Sequence, residues 1–292
     1  LDSNQRTRRE QIYSLPPLTA RPLLHFKGVI FVLEWNEVNN NIDNLMKLIE
    51  NQLLEGINRK DIDCELLKTV NSTNTYAKDA HLNKKYLLVI SEQQTQGRGR
   101  HGKEWYSPDS GNIYMSIKFK SPPIHPPLSL ISGLLVSEAM QEVSNNQVIG
   151  QLKWPNDILV NQKKICGILV ESQVVDGQIE FIIGIGINYA LPKKESWWGE
   201  LDSMGTALPQ SLLINSIVKK IIEYDIDGYP SWQSAWVNRC MHVGQEIVVR
   251  SHQDKEITGI FRGIAEQGEI QLETSEGLKL ISSGEFSIQG LY

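Results

Sequence analysis

Cysteine is scarce in this chain. Cys64, Cys166 and Cys240 are the three present, far apart and at no metal-ligand spacing. Such an odd, scattered set excludes a disulfide framework and favours a reducing compartment, the cytoplasm. No stretch approaches the roughly 20 apolar residues of a membrane span, so no membrane association is expected. The opening Leu1-Asp2-Ser3-Asn4-Gln5-Arg6 lacks the apolar core of a signal peptide. Positive charge is not in excess either. The 29 Lys and Arg against 34 Asp and Glu leave a formal net charge of −5, which makes the whole chain a poor partner for nucleic acid, though a local basic patch stays open. Internal repeats and low-complexity tracts are missing. What remains is an ordinary globular composition, 40% apolar over 292 residues, long enough for a sizeable core and two or three domains.

The hydrophobic pattern divides the chain. A polar start with Arg6, Arg8 and Arg9 reads as a solvated end, and Leu15-Pro16-Pro17-Leu18 is not helical. Gly28–Leu33 reads as a short strand, and leucines at helical spacing predict a helix over 42–55. From residue 64 strands and helices alternate. Strands are predicted at 66–70, 86–91, 112–120, 156–160, 164–174 and 179–189, and helices at 128–143, 210–224 and 231–240. Any of Ser72, Thr73 and Asn74 could cap a further helix running through Tyr76 and Ala77. After residue 244, short strands at 246–250, 257–261 and 269–272 with glycines near their turns suggest a small β-barrel.

Four segments could carry chemistry. Gln96-Gly97-Arg98-Gly99-Arg100-His101-Gly102-Lys103 follows an apolar strand. Its glycines permit close approach to a ligand, and its cations suit phosphate or carboxylate oxygens. It is not a Walker A loop, and alone it reads equally well as a basic surface loop. Lys153-Trp154-Pro155-Asn156-Asp157 puts a lysine, an amide and a carboxylate within five residues. A carboxylate beside ATP can hold Mg²⁺ and a lysine can neutralise phosphates, although an ordinary Pro-Asn-Asp turn is the blander reading. In Lys163-Lys164-Ile165-Cys166-Gly167-Ile168-Leu169-Val170-Glu171, the glycine either lets a ligand lie against the strand or marks a bulge. Gly184-Ile185-Gly186-Ile187-Asn188 either makes room for a ligand or packs a core, and it is no dinucleotide fingerprint.

In this order, the four segments together with Ser72-Thr73-Asn74 and Gln94 resemble biotin protein ligase over about residues 64–292. The resemblance implies an α/β (α+β) fold. A mixed-sheet catalytic domain of the biotin/lipoate ligase type, residues 63–243, would be followed by a C-terminal SH3-like β-barrel, residues 244–292. It implies that biotin and Mg-ATP give biotinyl-5′-AMP, whose acyl group passes to a lysine of a biotin carboxyl carrier protein. By position, Ser72, Thr73, Asn74 and Gln94 match contacts to the biotin head group. Arg98, Gly99 and Arg100 match the loop that orders over biotin and adenylate. Arg100 and Lys164 are the expected catalytic cations at the carboxylate and α-phosphate. Trp105, Lys153, Asn156, Asp157, Gly167 and Asn188 fall on the ATP side, with Asp157 as the Mg²⁺ ligand. No covalent enzyme intermediate is implied.

The family also includes DNA-binding repressors with an N-terminal winged helix-turn-helix. Tyr13-Ser14-Leu15-Pro16 resembles the linker after that unit, yet twelve residues precede it, too few for three helices. Residues 1–62 are therefore read as an N-terminal extension, a degenerate or incomplete winged-helix region at most. A ligase without repressor function is expected, and DNA is not an expected partner. Homodimerisation on adenylate formation is common in the family. A lipoate ligase or octanoyltransferase of related fold is the nearest alternative enzyme.

Overall fold

Period-two alternation in the middle of the chain builds one large sheet, and the computed structural model shows how its two faces differ. It describes residues 23–26, 29–32, 42–121, 127–192, 195–204, 208–251, 255–284 and 286–288. The basic start, the Tyr13–Pro17 string and the two ends of the expected 28–33 strand lie outside those residues. Strands β1 (Leu23–Phe26) and β2 (Val29–Val32) form an antiparallel hairpin, of which the sequence reading anticipated only the second strand. Helix α1 (Ile42–Leu53) follows and buries Ile49 and Leu53.

The sheet contains β3 (Ile62–Val70), β4 (Tyr86–Gln94), β5 (Ile113–Ser121), β6 (Gln151–Lys153), β7 (Asp157–Val160), β8 (Lys163–Val175) and β9 (Gln178–Ile187). Its order is β3-β4-β5-β9-β8-β7-β6. Only β3 and β4 run parallel. A parallel pair needs a crossover, and α2 (Thr73–Asp79) supplies it. The long β8–β9 hairpin turns on Asp176-Gly177, whose positive φ angles of 51° and 74° suit a two-residue hairpin turn.

One face of this sheet carries the main core. Helices α3 (Leu128–Val143), α4 (Gln210–Asp227) and α5 (Trp232–Arg239) pack there with α1. The sandwiched position of α3 buries it along most of its length. The other face is covered only in part, by α2, over a small cluster of Ala77, Leu87, Val89 and Ile182. Lys118 of β5 lies beneath α2, 2% exposed, and pairs with Glu180 of β9, 4% exposed, at 2.9 Å. Its ammonium also donates to the Ala80 carbonyl at 2.8 Å, so the C-terminal end of α2 rests on a buried ion pair.

Strands β10 (Glu246–Ser251), β11 (Glu256–Ile264), β12 (Ile270–Thr274), β13 (Gly277–Ile281) and β14 (Phe286–Ile288) form a second, wholly antiparallel sheet in the order β13-β12-β11-β10-β14. The sequence reading found three of these five. Strand β14 is too short for a periodic signal. In β13 the apolar Leu278 and Leu280 face outward, so the pattern contradicts burial. The buried residues of this sheet, such as Val249, Phe261 and Leu272, join the same core as the large sheet. A ring contact and a hydrogen bond are among the interactions that fasten the units. Trp236 of α5 lies 6.5 Å from the Phe261 ring, and Trp154 Nε1 donates to the Gly268 carbonyl at 2.9 Å.

Replacing Trp154 by Phe keeps the ring and strands the buried Gly268 carbonyl. The expected cost is about 1–3 kcal/mol of stability. Urea unfolding should show a lower midpoint with an unchanged slope.

Candidate active site

Beyond the first turn of α2 no α-helix among the described residues covers the second sheet face, and a cavity of about 560 Å³ opens there. Its floor is glycine. A Cβ on Gly184 would strike the Asn74 amide, one on Gly186 would come within 2.5 Å of Trp105 Nε1, and one on Gly167 within 2.7 Å of the same indole. The glycines of β8 and β9 therefore make room, as one reading of the sequence had it. The group occupying that room over Gly167 and Gly186 is the indole of Trp105.

At one end of the cavity α2 begins. Ser72 is its N-cap, and Ser72, Thr73 and Asn74 are all buried. Gln94, at the end of β4, accepts through Oε1 from the Thr73 amide at 2.9 Å and donates through Nε2 to Ser107 Oγ at 2.9 Å. Ser116 of β5 donates to Asn74 Oδ1 at 2.6 Å and lies 2.8 Å from Thr73 Oγ1. Asn74 Nδ2 donates to the Leu169 carbonyl at 3.1 Å and to Glu171 Oε2 at 2.8 Å. Both amide protons of Asn74 are thus committed to protein, leaving only acceptor capacity on Oδ1 for a ligand.

The glycine–arginine segment is a tight hairpin over the cavity. Trp105 N donates to the Gly97 carbonyl at 2.9 Å and Gly99 N to the Lys103 carbonyl at 2.6 Å. The tip turns through His101 and Gly102, with φ of 54° and 72°. Arg98 reaches Glu171 at 2.8 Å. Arg100 donates to the backbone carbonyl of Ser283 in the C-terminal sheet, and burial lowers its pKa, opposed by the charge of Asp157.

The opposite end carries charge. Lys164 sits 2.7 Å from Asp157 Oδ1 and 5.3 Å from the Trp105 ring centre. Lys153 is buried, and desolvation pushes its pKa down to about 8, with Lys164 and Lys103 adding to the shift against Asp157. Asn156 Nδ2 donates to the Ile168 carbonyl at 2.9 Å, and Asn188 Nδ2 to the Gly199 carbonyl at 3.2 Å. Every residue to which the family resemblance gave a site role, from Ser72 to Asn188, lines this one cavity.

Sequence reasoning assigned no role to several contributors. Ser116 gave no signal beyond strand alternation, and Glu171 closed the Lys163–Glu171 segment without a visible partner. Trp197 and Trp198 also line the cavity, with Trp198 stacked on Tyr106 at 6.0 Å; a Trp-Trp pair in a polar loop was the available clue. His242, which is fully buried behind Lys153, is another. Met241 N donates to the Leu152 carbonyl at 3.1 Å, which sets the His242 segment beside that strand. Burial, with the Lys153 charge, pushes the His242 pKa from 6.5 to about 4.

The second sheet face, its glycine floor and its cation-rich end have the chemistry to take an anionic, partly flat ligand, and comparison with known proteins gives the family. Residues 66–188 match the Biotin/lipoate A/B protein ligase family, and residues 242–288 the Biotin protein ligase C terminal domain. The bifunctional ligase/repressor BirA of Escherichia coli K12 is 31% identical over 238 residues, which are 77% of this chain and 73% of that protein. The biotin–acetyl-CoA-carboxylase ligase of Mycobacterium tuberculosis is 27% identical, over 68% of this chain and 77% of that one. Among solved structures, the biotin protein ligase of Aquifex aeolicus in complex with biotin and ATP superposes with a TM-score of 0.65 at 28% identity. It covers 79% of this chain and 99% of that one. The chain belongs to the biotin protein ligase family.

The His242 shift fixes a sign. Between pH 6.5 and about 4 the unfolded chain binds a proton that the folded chain refuses. The contribution is therefore fully present above pH 6.5 and lost as pH falls towards 4. Thermal unfolding should show stability declining across that window, with a shallower decline in His242→Leu. An equal slope in both proteins would mean that the ring is not held neutral.

Proposed function

We propose that this protein activates biotin with Mg-ATP as biotinyl-5′-AMP and transfers the biotinyl group to one lysine of a biotin carboxyl carrier protein. A single observation carries the reading. One glycine-floored cavity joins a neutral hydrogen-bonding end, a cationic hairpin and a lysine-rich end. That order matches a ureido ring, a carboxylate meeting an α-phosphate, and a nucleotide. The relatives named above, two of them called biotin ligases and one solved with biotin and ATP, support it. We place the reaction in the cytoplasm. The C-terminal sheet, residues 244–292, we take as the SH3-like domain of the family, appended to a catalytic domain of residues 63–243.

In the first step an oxygen of the biotin carboxylate attacks the α-phosphorus of ATP, and pyrophosphate leaves. In the second the lysine amine attacks the acyl carbon of the mixed anhydride, and AMP leaves with the bonding pair. Neither step needs an enzyme nucleophile, so alignment and charge neutralisation supply the rate. Ser72, Thr73, Asn74 and Gln94 form the head-group end. Arg98, Gly99 and Arg100 close over the adenylate, and Arg100 and Lys164 offset charge at the carboxylate and α-phosphate. Trp105, Gly167, Asn156 and Asn188 wall the nucleotide, and Lys153 meets its phosphates. Mg²⁺ enters with ATP, and Asp157 is the carboxylate nearest those cations. Among the described residues no cluster of three or more acidic, His or Cys side chains forms a metal cage. Phosphate oxygens and water would therefore complete the shell, as Mg²⁺ prefers.

Incubation with ATP, a carrier domain and either labelled biotin or labelled lipoate tests the reading. Biotin should label the carrier through an isolable adenylate; labelling by lipoate alone overturns it. Arg100→Ala should release biotinyl-AMP about tenfold faster, a charged hydrogen bond being lost, and so raise indiscriminate biotinylation. Lys153, with its pKa near 8, is charged below that pH and neutral above it. The KM for ATP should therefore rise between pH 7.5 and 9, and Lys153→Arg should abolish the rise.

A further inference from the structure

Glu171 ends the motif that begins at Lys164, and the proposed reaction gives it no part. It lies on β8, on the same side as Gly167 and Leu169, at the head-group end of the cavity and away from Lys164. One of its oxygens, Oε2, accepts from two donors at once. Asn74 Nδ2 approaches to 2.8 Å and Arg98 Nη2 to 2.8 Å. The donors belong to different parts of the site. Asn74 is in the first turn of α2, at the neutral end of the cavity, and its other bonds, to Leu169 and Ser116, hold the amide flat over Gly184. Arg98 belongs to the hairpin, whose backbone pairs Arg98 with Glu104 across the strands of the lid. Glu171 is 22% exposed and Arg98 42%, so the pair sits at the rim, partly screened by water. A charged oxygen orients Asn74 with its protons outward to β8 and its Oδ1 inward to Ser116. A neutral amide in its place could equally turn an N–H towards Asn74 and reverse that orientation.

We propose that Glu171 is a positioning residue that couples lid closure to the head-group end of the cavity. Its carboxylate holds Arg98 down and Asn74 in register together, so loss of either grip is felt at both ends. This rests on the reading of the cavity as a biotin and adenylate site. Two shared bonds to one oxygen make the effects of Arg98 and Glu171 non-additive, because removing either partner abolishes the same contact.

The test is a double-mutant cycle with Glu171→Gln, Arg98→Met and the double variant in the full chain, each checked by thermal unfolding. The readouts are the rate at which preformed biotinyl-AMP leaves the protein and the KM for biotin and for ATP. Glu171→Gln should speed release about tenfold and raise the biotin KM by a similar factor, with a smaller change in the ATP KM. Arg98→Met should match its release rate, and the double variant should be no worse than the worse single. A merely structural role would lower the unfolding temperature and leave release and the biotin KM as in the wild type, which overturns the proposal. Release effects that multiply in the double variant overturn it too. Should Glu171→Gln fail to fold, a raised biotin KM in Arg98→Met supports the coupling and an unchanged one overturns it. A wild-type protein that forms no biotinyl-AMP removes the functional reading and the coupling together. A wild-type protein that forms it, with Glu171→Gln indistinguishable, removes the coupling alone.

Discussion

Backbone bare of side chains on one sheet face is the constraint from which the site follows. Gly167 faces Gly186 across β8 and β9, and Gly184 lies one step along, opposite Leu169. Any Cβ there would collide with Asn74 or Trp105. With those positions empty, the Asn74 amide can reach down to Leu169 and Glu171, and the Trp105 indole can lie against the strands. The same two strands bury Cys166, Ile168, Ile183, Ile185 and Ile187 on or beside the opposite face, where α3 packs. One hairpin thus serves as core wall and as cavity floor, and the alternation of side chains along a strand separates the two duties.

The hairpin from Gly97 to Trp105 closes the cavity because three unrelated parts of the fold hold it. Trp105 anchors its returning strand on the glycine floor. Arg98 is held by Glu171 of β8, and Arg100 by a backbone carbonyl of the C-terminal sheet. The second sheet is therefore not a passive appendage. The turn that leads into it sets His242 behind Lys153, and its Gly268 carbonyl receives the Trp154 indole beside the lysine-rich turn. The lowered pKa of Lys153 follows from that crowding, since burial there removes water from an ammonium already near Lys164 and Lys103.

Much of this was legible from residue order. The mid-chain strands and α3 showed themselves because burial of one face or of a whole helix imposes a period that composition cannot hide. The N-cap at Ser72 was one of three candidates, and the crossover it begins placed α2 on the cavity face. Strands β13 and β14 were not legible, one because its leucines point outward and the other because three residues carry no period. Within the site, each glycine, lysine and arginine of the family motifs was visible. Ser116 and the partners of Glu171 were not, because a serine and a glutamate in a strand look the same whether they meet solvent or an asparagine 42 or 97 positions away.

By itself, then, the order of residues determined the alternation of strands and helices, the family, and the groups that come to line one cavity. Those are local or cumulative properties, written in short motifs and periods. Only the tertiary structure decided how those groups are spent. It gave both Asn74 protons to the protein, filled the space above Gly167 and Gly186 with Trp105, and joined the lid to Glu171 and to the second sheet. Hydrogen bonds and close packing depend on atoms within a few ångströms, and residues far apart in the chain, such as Arg100 and Ser283, can supply those atoms only once it has folded.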